Sequence, residues 1–101
     1  MSERPDSRNQ LTVTYRPVSD LVPDPRNART HSKQQIEQIK ASIDVFGFTN
    51  PILADPEDRM IAGHGRLLAA KAIGLDEVPV IVLSGLTEIQ KRALRLADNK
   101  I

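Results

Sequence analysis

The sequence predicts an α+β domain: a small mixed β-sheet of about four short strands packed with three helices. Three observations carry that expectation. Residues 11–15 alternate Leu11, Val13 and Tyr15 with Thr12 and Thr14, the period of two of a half-buried strand. Two segments open on Ser32 and Thr87, each with a glutamine three residues on, and carry apolar residues at helical spacing. Between them an apolar strand, Met60 to Ala62, runs into Gly63-His64-Gly65-Arg66 and a helix-forming run.

The bulk properties limit the answer. A chain of 101 residues allows one small domain. Only 3% of residues are aromatic, so the core must be built from Ile, Leu, Val and Ala. A net charge of +1 neither demands nor forbids a nucleic-acid partner. The absence of cysteine removes disulfides, thiolate metal sites and cysteine nucleophiles, and fits a reducing cytoplasm. No apolar run has the length of a membrane span, so no membrane role is expected. The two histidines lack zinc-site spacing, so neither zinc nor another dedicated metal centre is expected.

In chain order, residues 1–10 are polar and charged and read as a disordered tail before a domain at 11–101. After the first strand, Val18 and Leu21-Val22 keep the apolar character until Pro23 and Pro25 break it. Residues 23–31 form a stiff loop with Arg26, Asn27, Arg29 and His31; such a loop is either a solvated connection or part of a site. The first helix spans 32–47, with Ser32 as N-cap, Gly47 as C-cap, and Ile36, Ile39, Ile43 and Phe46 as its core stripe. Ile52-Leu53-Ala54 and Met60-Ile61-Ala62 make a hairpin across the turn residues 55–58. A second helix over 66–73 stops at Gly74 and turns Leu67, Leu68, Ala70 and Ile73 inward. The run 78–83 reads as a strand covered on both faces, with Pro79 near its start or on an edge. The last helix, capped by Thr87, places Ile89, Ala93, Leu96 and Ala97 inside and Lys91, Arg92 and Arg95 outside as a basic, solvated face. The end at residues 98–101 has no glycine or proline stop and reads as a cut within a longer protein.

The candidate site is the glycine turn. Glycine lets backbone approach a ligand closely. The first amides of a helix lack intrahelical acceptors, and together with the helix dipole they favour an anion, typically phosphate. Arg66 adds a guanidinium, and His64 a group that titrates near neutral pH. The spacing is neither a Walker loop nor a full G-x-G-x-x-G, since Leu68 takes the third glycine's place. From local pattern alone, a turn whose glycines only relieve strain is an equal reading.

Three blocks then stand in order: Asn27-Ala28-Arg29 before a capped helix, Gly47-Phe48-Thr49-Asn50-Pro51-Ile52 before a strand, and Ile61-Ala62-Gly63-His64-Gly65-Arg66 opening a helix. Together they resemble the N-terminal domain of the ParB/sulfiredoxin superfamily. Within it, the segments Gly63 to Ala70, Glu77 to Ile81 and Ala97 to Lys100 are similar to ParB-like domains associated with DNA methyltransferases. The resemblance implies a nucleotide-binding domain that regulates or positions a DNA-acting partner or a fused methyltransferase. It implies a nucleoside triphosphate, CTP or ATP with Mg, and a homodimer. Where partition proteins carry G-E-R-R, this chain has Gly63, His64, Gly65 and Arg66, matching the glycine and the final arginine. By this resemblance Arg66 and the amides at Gly65 to Leu67 hold phosphate, and His64 contacts phosphate or a bridging water. Arg29 supplies a second cation, Asn27 fixes its loop, the Gly47 to Pro51 block with Thr49 and Asn50 closes over the nucleotide, and Asn99 matches a third motif. Sulfiredoxin chemistry is excluded by the missing cysteine. A G-H-H-R segment also occurs in a free-serine kinase of the superfamily, which implies a phosphotransferase alternative. That reading needs a carboxylate base, for which Glu37 and Asp44 are candidates beside His64. A third reading is a DNA- or protein-binding module with a vestigial pocket. No paired acidic motif supports the metal-bound carboxylates of a nuclease.

Overall fold

The structure is a computed structural model that describes residues 11–25 and 31–98. The tail at 1–10, together with Asn27, Arg29 and Asn99, lies outside the described residues. Strand β1 (Val13–Pro17) runs into a 3-10 turn (Val18–Asp20). Helix α1 (Lys33–Phe46), β2 (Ile52–Ala54), β3 (Met60–Ala62), α2 (His64–Ile73), β4 (Glu77–Val82) and α3 (Glu88–Asp98) follow. The four strands form one sheet in the order β1-β4-β2-β3. β4 pairs parallel with β2 and antiparallel with β1, while β2 and β3 form the expected hairpin, so the sheet is mixed. This is the α+β architecture the sequence predicts.

The hairpin turn is set by one side chain. Asp55 Oδ1 accepts from the amides of Glu57 (2.9 Å) and Arg59 (3.0 Å), and Asp58 adopts a left-handed φ of 65°. Arg16 on β1 pairs with the Asp58 carboxylate. Val22 is fastened to the same hairpin by its amide on Asp58 O (2.9 Å) and its carbonyl under Met60 N (2.9 Å). The core is aliphatic: Val18, Leu21, Ile52, Ala54, Met60, Leu67, Ala70, Val78 and Val80.

Several residues depart from their expected places. Pro79 is not one of them: it is third in β4, near the strand start as one of its two expected places, although β4 lies inside the sheet. It is tolerated because the ladder with β2 begins only at Val80, so no β2 residue faces the N–H that Pro79 lacks. Phe46 ends the α1 stripe but is 73% exposed, and Leu68 and Ile73 are also exposed. α2 starts two residues earlier than expected, at His64.

The largest departure is α3. None of its residues is buried; Ile89 is 81% and Leu96 58% exposed. Ala93 and Ala97 lie on the same exposed side. The face turned to the domain carries Lys91, Leu94, Arg95 and Asp98, the reverse of the expected orientation. Polar anchors hold it there. Arg95 Nε donates to Ile61 O (3.1 Å), Lys91 Nζ lies 3.8 Å from Asp55 Oδ2, and Asp98 pairs with Arg66.

Candidate functional site

The site is built at the start of α2. Gly63 turns the chain out of β3 with φ 104° and ψ 21°, the left-handed region open to glycine. A Cβ there would lie 3.0 Å from Arg66 Nη2 and from Ile52 Cγ1, so the turn is closed to other residues on two grounds. Gly65 is needed for space alone. A Cβ on it would come within 3.0 Å of His31 Nδ1 and 3.1 Å of Ile39 Cδ1. His31 thus lies with its ring against the glycine turn, and its Nδ1 is 3.2 Å from Gln35 Oε1.

The first turn of α2 differs from those of the other helices. In α1, Ser32 Oγ accepts from Gln35 N (3.0 Å). In α3, Thr87 Oγ1 accepts from Gln90 N (3.1 Å), and Thr87 N donates back to Gln90 Oε1 (2.9 Å). Those caps consume helix-start amides. α2 has glycine as its N-cap and no side-chain cap. Its intrahelical ladder begins with Leu67 N donating to Gly63 O (2.9 Å). The amides of 64–66 therefore have no intrahelical acceptor, whereas that of Leu67 does. The expectation that the Leu67 amide would hold phosphate is corrected accordingly: its hydrogen is spent within the helix, and its side chain is 2% exposed in the core.

A cavity of about 360 Å³ opens in front of this turn, in the size range of small-ligand sites. Gly63, His64, Gly65, Arg66, Thr49 and Asn50 all line it, so the second and third sequence blocks meet in one place. Glu37 does not join them: it is exposed and pairs with Lys40 (3.1 Å). Asp44 is also exposed on α1 and does not line the cavity. His31, Gln38, Ser42, Arg95 and Asp98 do line the cavity and were not singled out for the site by sequence. Gln38 and Ser42 are four apart on α1, a spacing that puts them on one helical face. Nothing local in the sequence signals Arg95 or Asp98, because α3 reaches the site from more than 30 residues away.

The electrostatics centre on Arg66. Expected to face a ligand anion, its guanidinium instead engages a carboxylate of the chain. Nη2 donates to Asp98 Oδ1 (3.0 Å) and to Pro51 O (3.1 Å), and Nη1 lies 3.4 Å from Asp98 Oδ2. Both side chains are 13% exposed, so the pair is only weakly screened. Arg66 Nε is buried without a hydrogen-bond partner. His64 is 5% exposed, and its Nε2 accepts from the amide of Asp24 (3.0 Å). Burial pushes the pKa of His64 below its ordinary 6.5; the Asp24 and Asp98 carboxylates oppose that shift, and His31 and Arg95 reinforce it. The imidazole is therefore neutral at physiological pH.

Among the described residues no cluster of His, Asp or Glu is arranged to hold a metal ion. No helix among them is long and apolar enough to cross a membrane.

Comparison with known proteins gives one answer at three levels. Residues 2–100 match the family described as ParB N-terminal domain. The ParB-like nuclease domain-containing protein YnaK of Escherichia coli (strain K12) is 53% identical over 83 residues, which is 82% of this chain and 95% of that protein. A probable chromosome-partitioning protein ParB of Treponema pallidum is 35% identical over 99 residues, 93% of this chain but 30% of that longer protein. Among solved structures, the C-terminally truncated ParB of Caulobacter crescentus complexed with CTP-gamma-S superposes with a TM-score of 0.75 at 26% identity, covering 87% of this chain and 52% of that one. Sulfiredoxin of Arabidopsis thaliana, with a TM-score of 0.68 at 20% identity over 83% of this chain and 98% of its own, shares the fold alone. With residues 2–100 matched by the family and a relative 53% identical over 82% of the chain, the chain belongs to the ParB N-terminal domain family.

Proposed function

We propose that this domain binds a nucleotide through its phosphates at the start of α2, and that binding regulates or positions a DNA-acting partner or a fused DNA-modification domain, such as a methyltransferase. The observation that carries this reading is the cavity at the one α-helix start lacking a side-chain cap among the described α-helices, with Arg66 and Arg95 in its wall. Free amides and guanidinium groups converging on one concave space suit a polyanion. The Caulobacter relative complexed with CTP-gamma-S supports a cytidine triphosphate as the ligand; ATP and a Mg counterion belong to the proposal itself. A second Caulobacter ParB structure, complexed to the centromeric parS site, supports DNA as a partner, reached directly or through another domain; the homodimer and the cytoplasmic location belong to the proposal itself.

Asp98 sets the condition for binding. Its carboxylate lies where an oxyanion would meet Arg66, so a phosphate must displace it or share the guanidinium with it. Arg66 Nε, buried and without a hydrogen-bond partner, reaches a ligand only if the guanidinium shifts with that exchange. Calorimetric titration with CTP, ATP, ADP and S-adenosylmethionine tests the reading. A triphosphate should bind the wild-type chain and lose most of its affinity in Arg66→Ala. Equal affinity in the two proteins would remove the site. Phosphoryl transfer to serine is not supported, because Glu37 and Asp44 stand away from the cavity.

A further inference from the structure

The first turn of α2 must be held firmly while its amides stay free, and that requirement identifies a role for His64. Residues 23–25 read Pro23-Asp24-Pro25, and proline has no N–H. Asp24 therefore supplies the single backbone donor of the tripeptide. That donor is given to His64 Nε2 at 3.0 Å. His64 is the first residue of α2, almost wholly buried, and its backbone follows directly from the left-handed Gly63. An ordinary cap would fix this helix start by consuming an amide, as Ser32 and Thr87 do at α1 and α3. The bond from Asp24 fixes it from outside the helix and consumes none.

We propose that His64 is a positioning residue of the anion site: a neutral imidazole that takes the place of a helix cap by gripping the Asp24 amide, and so leaves the amides of 64–66 to the ligand. This rests on the nucleotide reading above and assigns His64 a different part in it from that of a cationic phosphate contact. Because Nε2 accepts, the ring proton is on Nδ1. The grip requires the neutral ring, since a protonated imidazole has no acceptor. The charged and titratable groups acting on it are Asp24 from the proline loop, His31 ahead of α1, and Arg95 and Asp98 from α3. Burial outweighs the carboxylates and keeps the acceptor available through the neutral range.

Two measurements test this, the first without any nucleotide. Nitrogen NMR of the wild-type chain should place the His64 proton on Nδ1. The Asp24 amide should exchange slowly at neutral pH and lose protection only in acid below 6.5, as the ring charges. An Nε2-protonated ring, or an unprotected Asp24 amide at neutral pH, overturns the proposal. The second is titration with CTP-gamma-S at neutral pH. His64→Ala should weaken binding about tenfold, the scale of a lost helix cap. His64→Gln keeps an acceptor near the Nε2 position and should recover most of that loss and the slow Asp24 exchange. Wild-type affinity in His64→Ala, alongside lost affinity in Arg66→Ala, sinks the positioning role and keeps the site. A protected Asp24 amide in a wild-type chain that binds no nucleotide sinks the nucleotide reading and keeps the grip.

Discussion

Helices α2 and α3 meet at the same cavity and are built on opposite plans. α2 is held by burial: Leu67, Ala69 and Ala70 are in the core, and small residues let it approach the sheet. α3 is the more sharply two-sided helix in sequence, yet it buries no residue and turns its apolar stripe to solvent. The difference shows what amphipathicity fixes. It separates two faces of a helix, but which face meets the domain depends on what the domain presents. Here the domain presents the Asp55 carboxylate, the Ile61 carbonyl and the Arg66 guanidinium, and these match Lys91, Arg95 and Asp98. An unpaired Arg66 at this depth would be costly, so its carboxylate partner selects the face.

Substitutions on the two helices can break or sharpen that contrast. The largest effect is expected for Leu67→Ala on α2, which removes a fully buried side chain and should lower unfolding free energy by about 3 kcal/mol in denaturant titration. Gly63→Ala should cost about 2 kcal/mol, from left-handed backbone and the clash with Ile52, and should also reduce anion binding by moving the helix start. Asp98→Asn should cost about 1 kcal/mol, since the amide oxygen keeps one hydrogen bond to Arg66 while the charge pairing is lost. In the absence of divalent cations the same variant should bind CTP-gamma-S several-fold more tightly, because Arg66 no longer has a competing carboxylate. Unchanged or weaker binding would show that Asp98 does not compete. The smallest effect is expected for Leu96→Ala, within about 0.5 kcal/mol of wild type. A loss comparable with that of Leu67→Ala would show the α3 stripe to be buried, and the contrast between the helices would collapse.

Much of the candidate site's lining was legible in the sequence. The Gly63-x-Gly65-Arg66 turn and the Thr49-Asn50 block announce themselves through short-range chemistry, and both line the cavity. The proton state of His64 was not legible, because its partner is the Asp24 amide 40 positions away. Nor was the pairing of Arg66 with Asp98, 32 positions apart, which turns a presumed open cation into one already engaged. Arg95 was read as a solvated base for the same reason: its acceptor, the Ile61 carbonyl, is 34 positions upstream.

By itself the sequence determined the order of strands and helices, the capping of α1 and α3, the hairpin, and the glycine turn that opens α2. Each of these depends on residues within a few positions of one another, where backbone stereochemistry and local hydrogen bonds dominate. Only the tertiary structure decided that Pro79 is tolerated inside the sheet, that α3 meets the domain with its charged side, and that His64 and Arg66 are already partnered. Those outcomes depend on which distant groups arrive beside one another, and burial then makes each unpaired charge or donor too costly to leave alone.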